Sequence, residues 1–133
     1  MILICIVVFC ALFADPGKPD SPTTAYAGVW LGGTEYALQP NSSQSNLGSW
    51  VHWVMTRSAG TLTLYRNGVR IGQRSDLPAT ATANITGWIG AQTGNAYFLN
   101  GRLDEVAVYS GALSATAVAG HYRAALSGPA PAQ

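Results

Sequence analysis

The middle of the chain alternates. From residue 50 to 56, Val51, Trp53 and Met55 take turns with His52, Val54 and Thr56, which assigns the two sets to opposite sides of a β-strand. After a break at Ser58-Ala59-Gly60, Leu62 and Leu64 alternate with Thr61, Thr63 and Tyr65. Asn67-Gly68 comes next, and a two-residue hairpin turn needs the positive φ that these residues tolerate best. Val69 and Ile71 restart the alternation on a return strand. The pattern predicts antiparallel strands with one face for a core and one for solvent.

The flanks continue in the same style. Residues 26–31 and 34–38 read as short strands around Gly32-Gly33, and residues 88–91 and 97–99 as strands around the turn cluster Gln92-Thr93-Gly94-Asn95. Residues 103–109 form a last strand, with Asp104, Val106 and Val108 on one face and Leu103, Glu105, Ala107 and Tyr109 on the other. Ser114 then suits the N-cap of a short helix in which Val118, Tyr122 and Leu126 recur at helical spacing. Ala117 stands where a capping-box acid would be. Residues 15–25 are a proline-rich linker or loop, residues 26–126 the folded domain, and residues 127–133 a tail.

The N-terminal run Ile2-Leu3-Ile4-Cys5-Ile6-Val7-Val8-Phe9-Cys10-Ala11-Leu12-Phe13 carries two readings. Its length suits the apolar core of a signal or targeting segment over residues 1–14, and it is too short for a membrane-spanning helix of about 20 residues. Its Ile and Val content equally suits a buried strand. Contact with a membrane is expected only through this segment, if it is retained.

Two motifs carry a resemblance. A Trp50-led strand precedes Gly60-Thr61-Leu62, Leu64-Tyr65 and Asn67-Gly68-Val69. Later come Gly101-Arg102-Leu103-Asp104-Glu105-Val106, Val108-Tyr109 and Ala112-Leu113-Ser114. In this order they resemble the C-terminal half of a laminin G-like domain, over roughly residues 26–125. The resemblance implies an all-β fold: an antiparallel β-sandwich, the concanavalin A-like jelly roll, with a short C-terminal helix. It also implies truncation, because such domains place several strands before the matched region. Either the apolar run fills a vacant strand slot, or the chain is part of a larger domain that self-associates. Some laminin G-like domains carry calcium, which makes Asp104 a candidate ligand; no other cofactor is implied.

Charge changes the picture little. Seven basic and six acidic residues leave a formal +1, without the clustered basic face that nucleic acid requires. Arg57, Arg66, Arg70 and Arg74 gather near the hairpin and read as solvated tips and edge protectors before a phosphate site. Glycoside hydrolysis needs two carboxylates facing each other across roughly 5 to 9 Å. Asp104 and Glu105 are neighbours on one strand, which sends them to opposite faces. The chain is therefore expected not to be an enzyme. His52 and His121 stand alone in sequence and read as structural, as do Trp53, Asn67, Gly68, Asp104 and Val106. Trp50 and Trp88 are assigned to core or sheet edge.

Binding falls to the loops. Asn46, Gln92, Asn95, Tyr97 and Asn100 form the candidate ligand-binding rim, since amides meet sugar hydroxyls and aromatic rings meet their apolar faces. The expected function is a non-catalytic module outside the cell, on a cell surface or on a virion, that recognises glycan or protein surfaces. The alternative is a structural or assembly module, such as a phage decoration or tail protein or an adhesin segment, acting as a homo-oligomer or in a larger assembly. A glycoside hydrolase fragment is the weakest reading.

Overall fold

The computed structural model describes residues 4–12, 27–31, 33–38, 48–79, 89–93 and 96–128. Nine strands and one helix lie within them: β1 (Ile4–Leu12), β2 (Ala27–Leu31), β3 (Thr34–Leu38), β4 (Trp50–Ser58), β5 (Thr61–Arg66), β6 (Val69–Arg74), β7 (Ala91–Thr93), β8 (Ala96–Phe98), β9 (Gly101–Tyr109) and α1 (Ala115–Ser127). Five strands form the main sheet in the order β6-β5-β4-β1-β9, while β2-β3 and β7-β8 are two-stranded. Every pairing is antiparallel.

The apolar N-terminal run is strand β1. It lies between β4 and β9, with Ile4 opposite Arg57 and Cys5 opposite Tyr109. A run with no polar alternation suits a strand flanked on both sides. Cys5 and Cys10 both lie in β1. At strand rise their backbones are about 17 Å apart, beyond disulfide reach.

The Asn67-Gly68 turn joins β5 to β6 with φ of 50° and 79°. This is the positive-φ geometry that matches the right-handed twist of a hairpin. Ser114 caps α1: its Oγ accepts from the Ala117 N–H at 3.2 Å. Such a cap contributes about 1 kcal/mol.

Two expectations need correction. The first is the solvent-facing side of β4. His52, Val54 and Thr56 are buried, and so are Val51 and Arg57 on the opposite side. Both faces of the sheet are covered in this region. Val54, Tyr65 and Val118 form one cluster with Ala107, Tyr109 and Leu113 packed against it. Leu31, Leu62 and Leu77 form the other, joined by Val29, Tyr36, Leu38 and Met55. One face is thus closed by the helix and the other by the β2–β3 hairpin. Trp53, expected to be structural, is half-buried.

The second correction concerns β9. Asp104 pairs with Phe9 and Ala107 with Val7, so two steps on β1 meet three on β9. Glu105 takes φ 50° at this bulge. The extra residue slips the alternation by one and sets Asp104 in phase with Ala107 and Tyr109 instead of Val106 and Val108. Asp104 is exposed, and its Oδ1 accepts from the Glu105 N–H at 2.8 Å, closing the bulge locally. Val106 and Val108 are exposed as well, not core residues.

Candidate functional site

The helix-covered face divides into a closed part and an open end. In the closed part, His52 on β4 is fully buried and stacks on Tyr122 of α1, with ring centroids 5.9 Å apart and planes inclined by 18°. The hairpin turn holds its backbone from the side: the Asn67 N–H donates to the His52 carbonyl at 2.8 Å, and Asn67 Oδ1 accepts from the His52 N–H at 3.0 Å. Helix and turn approach so closely that a Cβ on Gly68 would lie 3.2 Å from Ala119 Cα and 3.3 Å from Tyr122 Cβ. One turn position therefore needs glycine for both its φ and its lack of bulk. His121 meets Tyr109 edge-on, with centroids 5.8 Å apart. Burial pushes the His52 imidazole below the usual histidine range, and the charge of His121 pushes the same way.

The open end begins two residues earlier. Trp50, the first residue of β4, keeps 51% of its surface exposed. It pairs with Ala11, which pairs with Arg102 on β9. The next row runs His52, Phe9, Asp104. With strands about 4.8 Å apart, the backbones of Trp50 and Arg102 lie about 10 Å from each other. Arg102, Asp104 and Glu105 are all exposed. An aromatic face thus shares one end of the sheet with a cation, the Asp104 carboxylate and, just before β9, Asn100.

The predicted rim is partly located. Asn46 and Asn95 lie outside the described residues, as does Trp88. Gln92 and Thr93, expected in a turn, belong to β7. Tyr97 is in β8, and the flanking pairs Ala91–Phe98 and Thr93–Ala96 set positions 92 and 97 opposite each other. Asn100 is exposed at the bend between β8 and β9. The hairpin closes with the Leu99 N–H donating to the Gly90 carbonyl at 2.8 Å. For calcium, the described residues contain no group of three His, Cys, Asp or Glu able to hold an ion, and Asp104 is engaged with Glu105.

Three of the arginines near the hairpin make hydrogen bonds within the fold. Arg57 Nη2 donates to the Pro78 carbonyl at 3.0 Å, and Arg70 Nη1 to Gln73 Oε1 at 2.7 Å. Arg74 forks onto the Asp76 carboxylate, with Nε to Oδ1 at 2.7 Å, and its Nη1 donates to the Ala37 carbonyl at 2.9 Å. Its guanidinium also lies over the Tyr36 ring, 5.2 Å from the centroid. The hydrogen bond from Arg74 holds the Asp76 carboxyl below the ordinary carboxylate range. Reading the sequence alone missed Trp50 as an exposed ring. The available signal was its place at a strand's first residue, directly after Gly48 and Ser49.

An antiparallel sheet with hairpins on one face and a C-terminal helix on the other defines a concanavalin A-like sandwich. A family model for the concanavalin A-like lectin/glucanases superfamily, of laminin G type, matches residues 17–119, and the chain belongs to that family. No curated protein matches it in sequence. Among solved structures it is similar to the binding domain of Paraclostridial Mosquitocidal Protein 1, with TM-score 0.69 and 16% identity over 94% of this chain and 38% of that one. It is also similar to domain 4 of AbnA, an extracellular GH43 arabinanase of Geobacillus stearothermophilus in complex with arabinotriose. There the TM-score is 0.60, with 19% identity over 88% of this chain and 65% of that one. A third is the heptameric SAP-like pentraxin of Limulus polyphemus, with TM-score 0.58 and 16% identity over 89% and 68%. The chain spans about two fifths of the toxin domain and just under two thirds of the arabinanase domain.

Proposed function

We propose that this chain is a non-catalytic, extracellular binding module that takes a glycan at the open end of its main sheet. The observation that carries the reading is the half-exposed ring of Trp50, in a cross-strand row with Arg102 and beside the row of Asp104. Sugars stack their apolar C–H faces on such rings, while charged and amide side chains meet their hydroxyls. A similar fold in complex with arabinotriose supports the same ligand class. Asn100, exposed at the bend leading into β9, adds an amide two residues before Arg102.

A glycan array followed by calorimetric titration of the best ligand, with arabino-oligosaccharides included, tests the proposal. Saturable binding that quenches tryptophan emission is expected, without release of reducing sugar on prolonged incubation. Trp50→Ala is expected to weaken binding at least ten-fold and to leave the urea midpoint nearly unchanged, because the ring is half in water. An array on which nothing binds sinks the proposal.

A second reading, an assembly module on a virion or cell surface, is favoured by β9. It is an edge strand among the described residues, and it leaves Val106 and Val108 exposed. Such edges pair readily with other strands. A native mass measurement showing an oligomer that Val108→Lys dissociates would move the function to assembly; a monomer at high concentration removes that reading.

A further inference from the structure

We propose that β9 pairs with β9 of a second copy about a two-fold axis at Ala107, and that the dimer presents two Trp50 ends on one face as a bivalent reader of glycan. The ligand in this statement rests on the glycan reading above; the dimer stands without it. The two edges of the main sheet differ in what guards them. β6 carries Arg70, Gly72 and Arg74 and has β3 beside it: Arg74 donates to the Ala37 carbonyl, and a Cβ on Gly72 would lie 3.6 Å from Leu38. β9 ends the order on the other side, with β1 as its one strand neighbour among the described residues. Past its bulge it reads Val106-Ala107-Val108-Tyr109, without a charge or a proline. Edges of soluble proteins are ordinarily blunted by such groups, because an open ladder captures another strand. Val108 keeps 70% of its surface exposed and Val106 37%.

This edge is its own complement. Antiparallel pairing about Ala107 sets Val106 opposite the partner's Val108 and Val108 opposite the partner's Val106. Ala107 and Tyr109 pack against the helix-side cluster, so the valines share the other face and gather there as a patch of four. Charge selects the same register. Glu105 meets the partner's Tyr109, and no like charges face each other. A two-fold at Glu105 would oppose two carboxylates. One at Leu103 would pair Arg102 with the partner's Asp104 but leave both valines outside the ladder, and solvated ion pairs contribute little beside apolar burial. The bulge at Glu105 also bends residues 101–104 out of line with 106–109, which confines straight pairing to the apolar half. So short a ladder buries less than the roughly 1,600 Å² of a standard interface, and the dimer is expected to be weak and concentration-dependent. A two-fold perpendicular to the sheet keeps both helices on one face. Trp50 is in phase with His52, which meets the helix, so both Trp50 ends lie on that face too. From strand spacing and rise, their backbones are about 35 Å apart. Two weak sites at a fixed spacing hold a dense glycan surface better than one.

Sedimentation equilibrium of the full chain, from low micromolar to near-millimolar concentration, tests the dimer. A monomer–dimer equilibrium is expected. Val108→Lys should abolish it and leave the urea midpoint in place, since that side chain is mostly in water. Register is read by cysteine pairing. Chains carrying Val106→Cys, mixed with chains carrying Val108→Cys, should form a disulfide dimer on mild oxidation, because directly opposed strand residues lie within disulfide range. Either variant alone should form little, as should the wild-type chain with Cys5 and Cys10. If Val108→Lys does not fold, this mixture decides. A wild-type chain that stays monomeric throughout the range overturns the dimer, and stronger linkage of either variant alone overturns the register. Bivalency is read on a surface coated with the best array ligand. Wild-type protein should leave it about ten-fold more slowly than Val108→Lys, while both titrate one soluble oligosaccharide alike. Equal release by the two overturns the bivalent role. Absence of glycan binding by both overturns the glycan reading and the bivalent role with it, while sedimentation alone judges the dimer.

Discussion

The two faces of the main sheet are closed by different chemistry. On one, Leu31, Leu62 and Leu77 pack with Val29, Leu38 and Met55, an aliphatic cluster whose stability depends on area removed from water. On the other, His52, Tyr65, Tyr109, His121 and Tyr122 surround Val54 and Val118. The hairpin cover is also pinned at its rim by Arg74, which reaches the Ala37 carbonyl. The helix is held by Val118 in its cluster, by Tyr122 on His52 and by its fit over the turn at Gly68. The same β-strands thus support one cover packed by aliphatic side chains and one that carries two histidines.

The largest effect should come from the aliphatic face. Leu62→Ala removes a fully buried side chain and is expected to cost about 3 kcal/mol, read from urea unfolding. Val118→Ala, deleting two methyl groups on the helix face, is expected to cost about 1.5 kcal/mol. A reversed order would mean that the helix face carries the core.

Gly68→Ala attacks the helix contact from the turn. Its φ of 79° costs a side chain about 1 to 2 kcal/mol, and the added Cβ presses on Ala119 and Tyr122. The loss should appear first as faster exchange in α1, with the β2–β3 hairpin unaffected.

Acid should bear on the helix face through His52. The folded state holds His52 below its unfolded pKa, so the unfolded chain binds the proton more readily. The contribution of neutral His52 is complete above the unfolded value, near pH 6.5, and is lost as pH falls toward the folded one. The urea midpoint should therefore fall below about pH 6.5 in the wild-type protein and stay flatter in His52→Gln. Asp76, exposed and screened, adds little at lower pH although Arg74 depresses its folded value.

The smallest effect belongs to Arg74→Ala. Its pairing with Asp76 is solvated and screened, so the global midpoint should not move measurably. The Ala37 carbonyl and the Tyr36 ring lose their partner. Exchange at β3 should quicken while α1 keeps its protection.

Much of the local structure was legible along the chain. Asn67-Gly68 announced its hairpin because few residues accept two consecutive positive φ values, and Ser114 announced a helix start because its hydroxyl meets an otherwise unpaired amide. The site was legible only in outline. Asn100, named for a ligand-binding rim, is exposed, whereas Trp50 was assigned to core or edge and Asp104 to the company of two valines. The bulge at Glu105 has no signature in an alternating pattern, since one inserted residue reverses every face beyond it without changing composition.

The sequence by itself determined the strand periodicities, the tight turn, the helix cap and membership of a laminin G-like family, because each depends on residues close together in the chain. Only the tertiary structure decided that β1 enters the sheet between β4 and β9, that both faces of β4 are buried, and that Trp50 is left open while His52 is sealed. Those outcomes depend on which distant segment covers which face, and α1 arrives from more than 60 residues beyond His52 to close it.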